Sequence, residues 1–337
     1  MCISGASCVK VTTFMERLPQ TPDTSVVGRF APTPSGRMHV GNVFSALIAW
    51  LAVRSAKGKM VLRIEDLDPR SSNVNATELL IEDLKWLGFD FDEGPYYQSE
   101  RLEVYADELE RLKGTGLVYP CFCTRAELHA ASAPHASDGT YVYPGTCRHL
   151  SASEIALRSA QRHPAARIAV PRADEPLGTI SFSDLVYGPI REVLERDCGD
   201  FLVRRSDGIF SYQFAVVVDD GLMGINQVVR GRDLLGSCAR QIYLHELLEF
   251  VPPTFGHVPL LTSRDGRRLS KRDKDLDLGA IRERDKDPNK LIGWLGSHIG
   301  LCEANEELTA ADLIDRFSWE KVRSAARMGD ICAYTYS

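Results

Sequence analysis

The sequence predicts an α/β fold built on a doubly wound parallel sheet, and three features predict it. Residues 25 to 68 read as strand, tight turn, helix, strand and then a run of carboxylates. Phe214-Ala215-Val216-Val217-Val218 is a continuous apolar run, as a parallel strand covered on both faces requires. Gln227-Val228-Val229 reads as a further strand and ends at Arg230. In sheets of this kind ligands bind beyond the carboxyl ends of the strands, which is where these charges fall.

Taken in order, Ser25 to Phe30 is a short apolar strand, and Ala31-Pro32-Thr33-Pro34-Ser35-Gly36 has the Pro and Gly density of a turn. Asn42 is the expected helix N-cap. Val43, Phe44, Leu47, Ile48 and Leu51 then recur at helical spacing up to Arg54, and Gly58 stops the element. Lys59 to Ile64 is the second strand and runs into Glu65-Asp66-Leu67-Asp68. Ala76 to Leu87 forms a helix around Leu80, Leu84 and Leu87, so residues 25–110 make the first half of the sheet domain. Residues 111–195 interrupt it as an insertion containing the strand-like Arg167 to Val170. The sheet is expected to resume near Asp200, with its second half over 196–262 and a helix from about Arg240 to Glu249. Residues 263–337 carry a cationic loop, a helix opened by Asp287-Pro288 and running through Leu291, Ile292, Trp294, Leu295 and Ile299, and another capped by Thr309 around Leu313, Ile314 and Phe317. Residues 1–24 read as a disordered tail, with Met15 as an alternative start.

Composition narrows the function classes. With 44% hydrophobic and 26% charged residues this is an ordinary globular chain. Its longest apolar run, Phe44 to Val53, is too short to cross a bilayer, and residues 1–24 lack the order of a signal peptide, so no membrane partner and a cytoplasmic location are expected. A net charge of −6 excludes a chain that grips nucleic acid with its whole surface; a local patch from Arg264, Arg267, Arg268, Lys271, Arg272 and Lys274 is the alternative. The nine cysteines are scattered, which suits a reducing compartment better than a disulfide framework.

Two motifs 232 positions apart point to a triphosphate: Gly36-Arg37-Met38-His39-Val40-Gly41-Asn42 and Arg268-Leu269-Ser270-Lys271-Arg272. The first sets an imidazole and an unobstructed backbone at a helix mouth, where free N–H groups and the helix dipole favour phosphate oxygens. The second supplies an ammonium. Cys121 and Cys123 bracket one residue and Cys147 follows a polar loop of 23 residues, a spacing that suits three ligands of one structural zinc. On donor chemistry alone the fourth ligand is His149 or His129. Arg29 and Arg230 lie at strand ends, and a guanidinium can bind a carboxylate through paired charge-assisted bonds. The plainer role for Arg230 is an ion pair with Asp219, Asp220 or Asp233.

Arg29 to Gly36, His39-Val40-Gly41-Asn42 and Arg63-Ile64-Glu65-Asp66-Leu67-Asp68 together resemble the class I glutamyl-tRNA synthetases. Gln98 to Arg101, Cys121 to Thr124, Arg205 to Gly208, Tyr212 to Asp220, Val229-Arg230-Gly231 and Leu269-Ser270-Lys271 extend the likeness in the same order, over roughly residues 26 to 300. Within that family the chain most resembles the short branch, the glutamyl-Q tRNA(Asp) synthetases, since only 63 residues run from Asp275 to Ser337, room for a helical stem-contact region and no anticodon-binding domain. The resemblance implies a Rossmann-like catalytic domain with a zinc-containing insertion. It implies that His39, Gly41, Asn42 and Lys271 bind ATP with its Mg2+, with His39 and Lys271 catalytic. It implies a glutamate pocket of Arg29, Phe30, Ala31, Pro32, Thr33, Glu65, Tyr212 and Arg230, Glu65 taking the ammonium, and Tyr143 as the fourth zinc ligand beside Cys121, Cys123 and Cys147. Glutamate would be activated without tRNA and passed to queuosine in the anticodon arm of tRNA(Asp) by a monomeric enzyme. The alternatives are a divergent glutamyl-tRNA synthetase charging tRNA(Glu) and a non-catalytic zinc-containing RNA-binding module.

Overall fold

A computed structural model describes residues 25–70, 72–124, 126–127, 142–267, 269, 276–333 and 336. The expectations for residues 1–24 and Met15 lie outside them. The chain runs through β1 (Val27–Phe30), α1 (Val40–Ser55), β2 (Lys59–Ile64), α2 (Val74–Trp86), β3 (Glu93–Tyr97), α3 (Leu102–Gly114), β4 (Val118–Cys121), α4 (Ala152–Ser159) and β5 (Ala165–Ile168). There follow β6 (Thr179–Asp184), β7 (Gly188–Val193), α5 (Leu194–Asp197), β8 (Phe201–Arg204), α6 (Tyr212–Leu222), β9 (Gln227–Gly231), α7 (Cys238–Leu247), β10 (Thr254–Val258) and β11 (Leu261–Thr262). The last elements are α8 (Leu278–Arg284), α9 (Asn289–His298), α10 (Trp319–Met328) and β12 (Ile331–Cys332).

Five strands form one parallel sheet in the order β10-β9-β1-β2-β3. Helix α1 closes one face through Val43, Phe44, Leu47, Ile48 and Leu51, all essentially unexposed, each contributing about 1.5–3 kcal/mol relative to exposure for the larger side chains. The turn behind it is tight: a Cβ on Gly58 would lie 2.2 Å from the Val26 carbonyl oxygen, so only glycine lets β2 start there. Helices α3, α6 and α7 close the opposite face with Tyr105, Leu109, Phe214, Val217, Val218, Ile242 and Tyr243. The sheet is therefore doubly wound, as the sequence predicts.

Four local expectations are corrected. Phe214 to Val218 lies in helix α6, with Ser211 as N-cap accepting the Phe214 N–H at 3.3 Å. The helix is wedged between the sheet and α7 and buried nearly all round, and a short apolar run does not separate that from a buried strand. The parallel sheet is rejoined at Gln227 and not near Asp200, because Phe201–Arg204 pairs antiparallel with β5 in a three-stranded sheet β4-β5-β8. His39, three residues before Asn42, is the N-cap of α1. Residues 311–316 form a 3-10 turn, although Thr309 and Asp312 do exchange the capping bonds expected of Thr309. Among the described residues no helix is long and apolar enough to cross a membrane.

Candidate active site and metal cluster

Three arginines converge because of strand register. Arg29 on β1 pairs with Val61, two residues before Arg63 on β2, and Gly28 pairs with Gln227, three before Arg230 on β9. Since alternate residues share a face, Arg29, Arg63 and Arg230 all emerge on the face covered by α6, near the carboxyl ends of adjacent strands. Arg63 is wholly buried. Its Nη1 donates to Asp220 at 2.7 Å and its Nη2 to Glu65 at 3.4 Å, with Asp219 3.5 Å from Nε. Burial opposes the Arg63 charge, but Asp220, Asp219 and Glu65 hold the guanidinium protonated above its usual range.

Asp219 is fully satisfied by Gln98, Arg101 and Tyr105 at 2.7–2.8 Å, so its role is to pin α6 to α3. Asp220 also lies 3.5 Å from Arg29 Nε. Burial works against its charge, yet Arg63 and Arg29 keep the carboxyl below its usual range. Burial pushes the Glu65 carboxyl up, and Arg63 and Arg29 pull it back. Tyr212 opens α6 beside this cluster, 38% exposed, within the fields of Arg230, Glu65, Arg29 and Asp220. It is therefore not a packed core tyrosine. Neither Arg29 Nε nor Arg230 Nη1, both buried, makes a hydrogen bond. Arg230 is not the ion-pair partner of Asp219, Asp220 or Asp233 in any contact seen here; its Nε donates to His257 at 3.1 Å and its Nη2 to Leu234 O and Cys238 Sγ.

The turn between β1 and α1 hangs on the same cluster. Pro32 O accepts the Glu65 N–H at 3.0 Å and Pro34 O the Asn73 N–H at 3.2 Å, which leaves Thr33 exposed at the rim with Ala31 and Phe30 part-buried behind it. At the helix mouth His39 Nδ1 accepts the Gly41 N–H at 3.1 Å while Asn42 Oδ1 accepts the His39 N–H at 3.1 Å. An acceptor at Nδ1 puts the ring proton on Nε2, which makes the outer edge of the ring a donor. Lys271, with Arg268, Arg272 and Lys274, lies outside the described residues; Arg264 and Arg267 are exposed. The chain returns from that segment directly against the histidine turn, since His39 bridges Asp277 and the Leu278 N–H donates to Met38 O at 2.9 Å.

About the insertion, Cys121, Cys123 and Cys147 place their sulfurs within 4.8 Å of one another. Tetrahedral zinc–sulfur bonds of about 2.3 Å imply sulfur separations of about 3.8 Å, and Cys123 Sγ lies 3.6 Å from Cys147 Sγ. The Tyr143 hydroxyl is 3.5 Å from Cys121 Sγ and 3.4 Å from Cys123 Sγ. His149 is exposed and outside the cluster, and His129 lies beyond the described residues. The three thiols are compatible with one zinc, and the Tyr143 hydroxyl lies beside two of them.

Residues 25–331 match the family of class I tRNA synthetases (E and Q), catalytic domain. The chain is 47% identical over 307 residues to the glutamyl-Q tRNA(Asp) synthetase of Symbiobacterium thermophilum, covering 88% of this chain and 93% of that one. It belongs to the class I tRNA synthetases of the E and Q type, among the glutamyl-Q tRNA(Asp) synthetases. The corresponding protein of Nitratidesulfovibrio vulgaris is 44% identical over 284 residues, with 81% and 86% covered. Among solved structures, a glutamate tRNA ligase from Elizabethkingia meningosepticum in complex with its amino acid superposes with a TM-score of 0.75 at 28% identity. That match covers 89% of this synthetase and 66% of the larger chain.

Sequence reasoning about this synthetase missed Arg63, Asp220, Asp184 and His257 as parts of the site. Arg63 did leave a signal, a charge inside the apolar strand Met60-Val61-Leu62-Arg63-Ile64, which must be paired to be buried. His257 and Asp184 left none, because a strand histidine and a hairpin aspartate are ordinary until register brings them together.

Proposed function

We propose that this synthetase joins glutamate to ATP as glutamyl-adenylate without tRNA, and then transfers the glutamyl group to queuosine in the anticodon of tRNA(Asp). The observation that carries the reading is that Arg230 keeps a buried Nη1–H with no hydrogen bond, while Arg29, on the neighbouring strand, lies in the field of Glu65 and 3.5 Å from Asp220. A buried donor without a partner is costly. An open Arg230 donor together with the Arg29 charge suits an amino acid that carries two carboxylates, with Glu65 accepting from its ammonium and Tyr212 and Thr33 offering hydroxyls.

In the first step an oxygen of the α-carboxylate attacks the α-phosphorus, and the bond to the bridging oxygen breaks as pyrophosphate leaves with its electron pair. His39 Nε2–H donates to the α-phosphate as charge builds, Gly41 and Asn42 keep the helix mouth open to the nucleotide, and Lys271 neutralises the departing pyrophosphate, whose Mg2+ arrives with ATP. In the second step a cyclopentene hydroxyl of queuosine attacks the carbonyl carbon, loses its proton and displaces AMP. RNA helices are read largely by shape and backbone, so a body that holds an acceptor stem can hold an anticodon stem of similar form. One zinc, held by Cys121, Cys123, Cys147 and Tyr143, would fold the insertion. We take the enzyme to be cytoplasmic and monomeric.

The test uses radiolabelled glutamate with tRNA from cells that can and cannot make queuosine, followed by removal of the 3′ adenosine with periodate and base. Label that depends on queuosine and survives this treatment is expected. Label lost with the 3′ end, or equal on queuosine-free tRNA, would instead support 3′ charging of tRNA(Glu).

A further inference from the structure

Arg230 sits opposite His257 in the β9–β10 register, and the two side chains meet on the same face of the sheet. The Arg230 Nε–H can only donate, so His257 Nε2, 3.1 Å away, must accept. That fixes the ring proton on Nδ1, which donates to Asp184 Oδ2 at 2.6 Å. Asp184 is immobile in turn: its Oδ1 accepts the backbone N–H groups of Val186 at 2.9 Å, Tyr187 at 3.0 Å and His257 itself at 3.3 Å. Neither side chain of the His257–Asp184 pair is exposed at all. On the far side of the guanidinium, Nη2 is held by Leu234 O and Cys238 Sγ, and the Phe255 ring lies 5.3 Å from Cζ. Every edge of Arg230 is thus clamped except Nη1, which makes no hydrogen bond.

We propose that Asp184 and His257 are positioning residues that hold Arg230 in the one orientation that aims Nη1 into the amino-acid site, and so set the enzyme's affinity for glutamate. The proposal rests on the glutamate-activating reading above. Burial also holds His257 neutral, the state in which Nε2 keeps its lone pair for Arg230. An Arg side chain freed at Nε retains its charge but not its aim, and aim is what paired recognition of a carboxylate needs.

The experiment measures pyrophosphate exchange against glutamate and against ATP for the wild type, His257→Leu, His257→Gln and Asp184→Asn, with a thermal melt of each. Loss of the group that orients a metal ligand typically costs about 10- to 100-fold; with Arg230 oriented in the same way, His257→Leu is expected to raise the KM for glutamate by a comparable factor while the KM for ATP stays within about twofold. His257→Gln, whose amide oxygen reaches the position of Nε2, should recover most of the loss. Asp184→Asn is nearly isosteric; its amide N–H facing Nδ1 would force the proton onto Nε2, toward Arg230, and the glutamate KM should rise as in His257→Leu. An unchanged glutamate KM in His257→Leu, a parallel rise in both KM values, or no recovery in a folded His257→Gln would overturn the proposal. A wild type with no glutamate-dependent exchange would overturn the glutamate reading itself, and is told apart because it appears before any substitution.

Discussion

The His39 ring folds back over Gly41 so closely that a Cβ on Gly41 would sit 3.0 Å from Cε1, and Nδ1 accepts the Gly41 N–H at 3.1 Å. The glycine is thus the seat of the imidazole as well as an opening for the nucleotide. Gly41→Ala should displace the ring by a few tenths of an ångström. Displacements of about 1 Å can cost about 100-fold, so a shift of a few tenths of an ångström is expected to lower kcat for pyrophosphate exchange by roughly fourfold. Alanine is about 1 kcal/mol better than glycine in a helix, so the melting temperature should hold or rise. Full kcat in this variant would show that ring placement does not matter.

Arg230→Ala removes a guanidinium that keeps a buried, unbonded N–H. Truncating a buried charge-assisted partner costs about 2–5 kcal/mol, and the KM for glutamate should rise accordingly. Arg230→Lys should not rescue it, since an ammonium cannot bind His257 and a ligand carboxylate with a fixed fork. Pyrophosphate exchange with glutamine, which lacks the second carboxylate, should be far weaker than with glutamate in the wild type and should change little in either variant. Equal use of both amino acids would remove Arg230 from the pocket.

Metal analysis of chelator-washed protein should find about one zinc per chain, because closed structural sites exchange slowly. Cys147→Ser should lose the metal and lower the melting temperature, whereas Tyr143→Phe should weaken retention and His149→Ala should leave it intact. Zinc retained by Tyr143→Phe but lost from His149→Ala would reassign the fourth ligand.

Arg63 neutralises Asp220 and Glu65, and all three side chains are buried. Replacing it with Met leaves those carboxylates underpaired, and breaking one side of a buried pair costs about 3–5 kcal/mol. Urea unfolding should show a loss of that size. A change under about 1 kcal/mol would mean that Arg29 alone balances Asp220.

Acid should destabilise the fold in two stages. Burial lowers the pKa values of His245 and His257 from 6.5, so each favours the folded state fully above 6.5 and loses that contribution as pH falls toward its folded value. Asp220 and Asp184 are buried yet held below 3.8 by Arg63 and His257 respectively, and their contribution is lost in the same direction below that pH. Glu65 is raised and has the opposite sign, its contribution fading as pH rises above 4.5. Thermal midpoints should therefore be highest near neutrality and decline below about pH 6.5. A midpoint that climbs between pH 7 and pH 5.5 would contradict the buried neutral histidines.

Motifs made of neighbours in the chain were legible. His39 and Gly41 interact across two positions, and the strand–turn–helix around them follows from local propensity, capping and apolar spacing, so the first half of the sheet could be read within a few residues. Cys121, Cys123 and Cys147 were legible by spacing, but the choice between Tyr143 and His149 was not, because it depends on which side chain the loop turns inward. The run Phe214 to Val218 misled because burial on all sides erases the periodicity that separates helix from strand.

The sequence by itself determined the α/β class, the placement of β1, α1 and β2, the cysteine cluster and the candidate arginines, all of which rest on residue type and short-range spacing. Only the tertiary structure decided which charges meet. Arg29, Arg63 and Arg230 share a site because parallel register brings three separate strands to one face, and α6 then drops Asp219 and Asp220 among them. Arg230 finds His257 through strand pairing, and His257 finds Asp184 through a hairpin 73 positions earlier. Such contacts are fixed by the closure of long loops around a common core, and no local pattern in the chain encodes them.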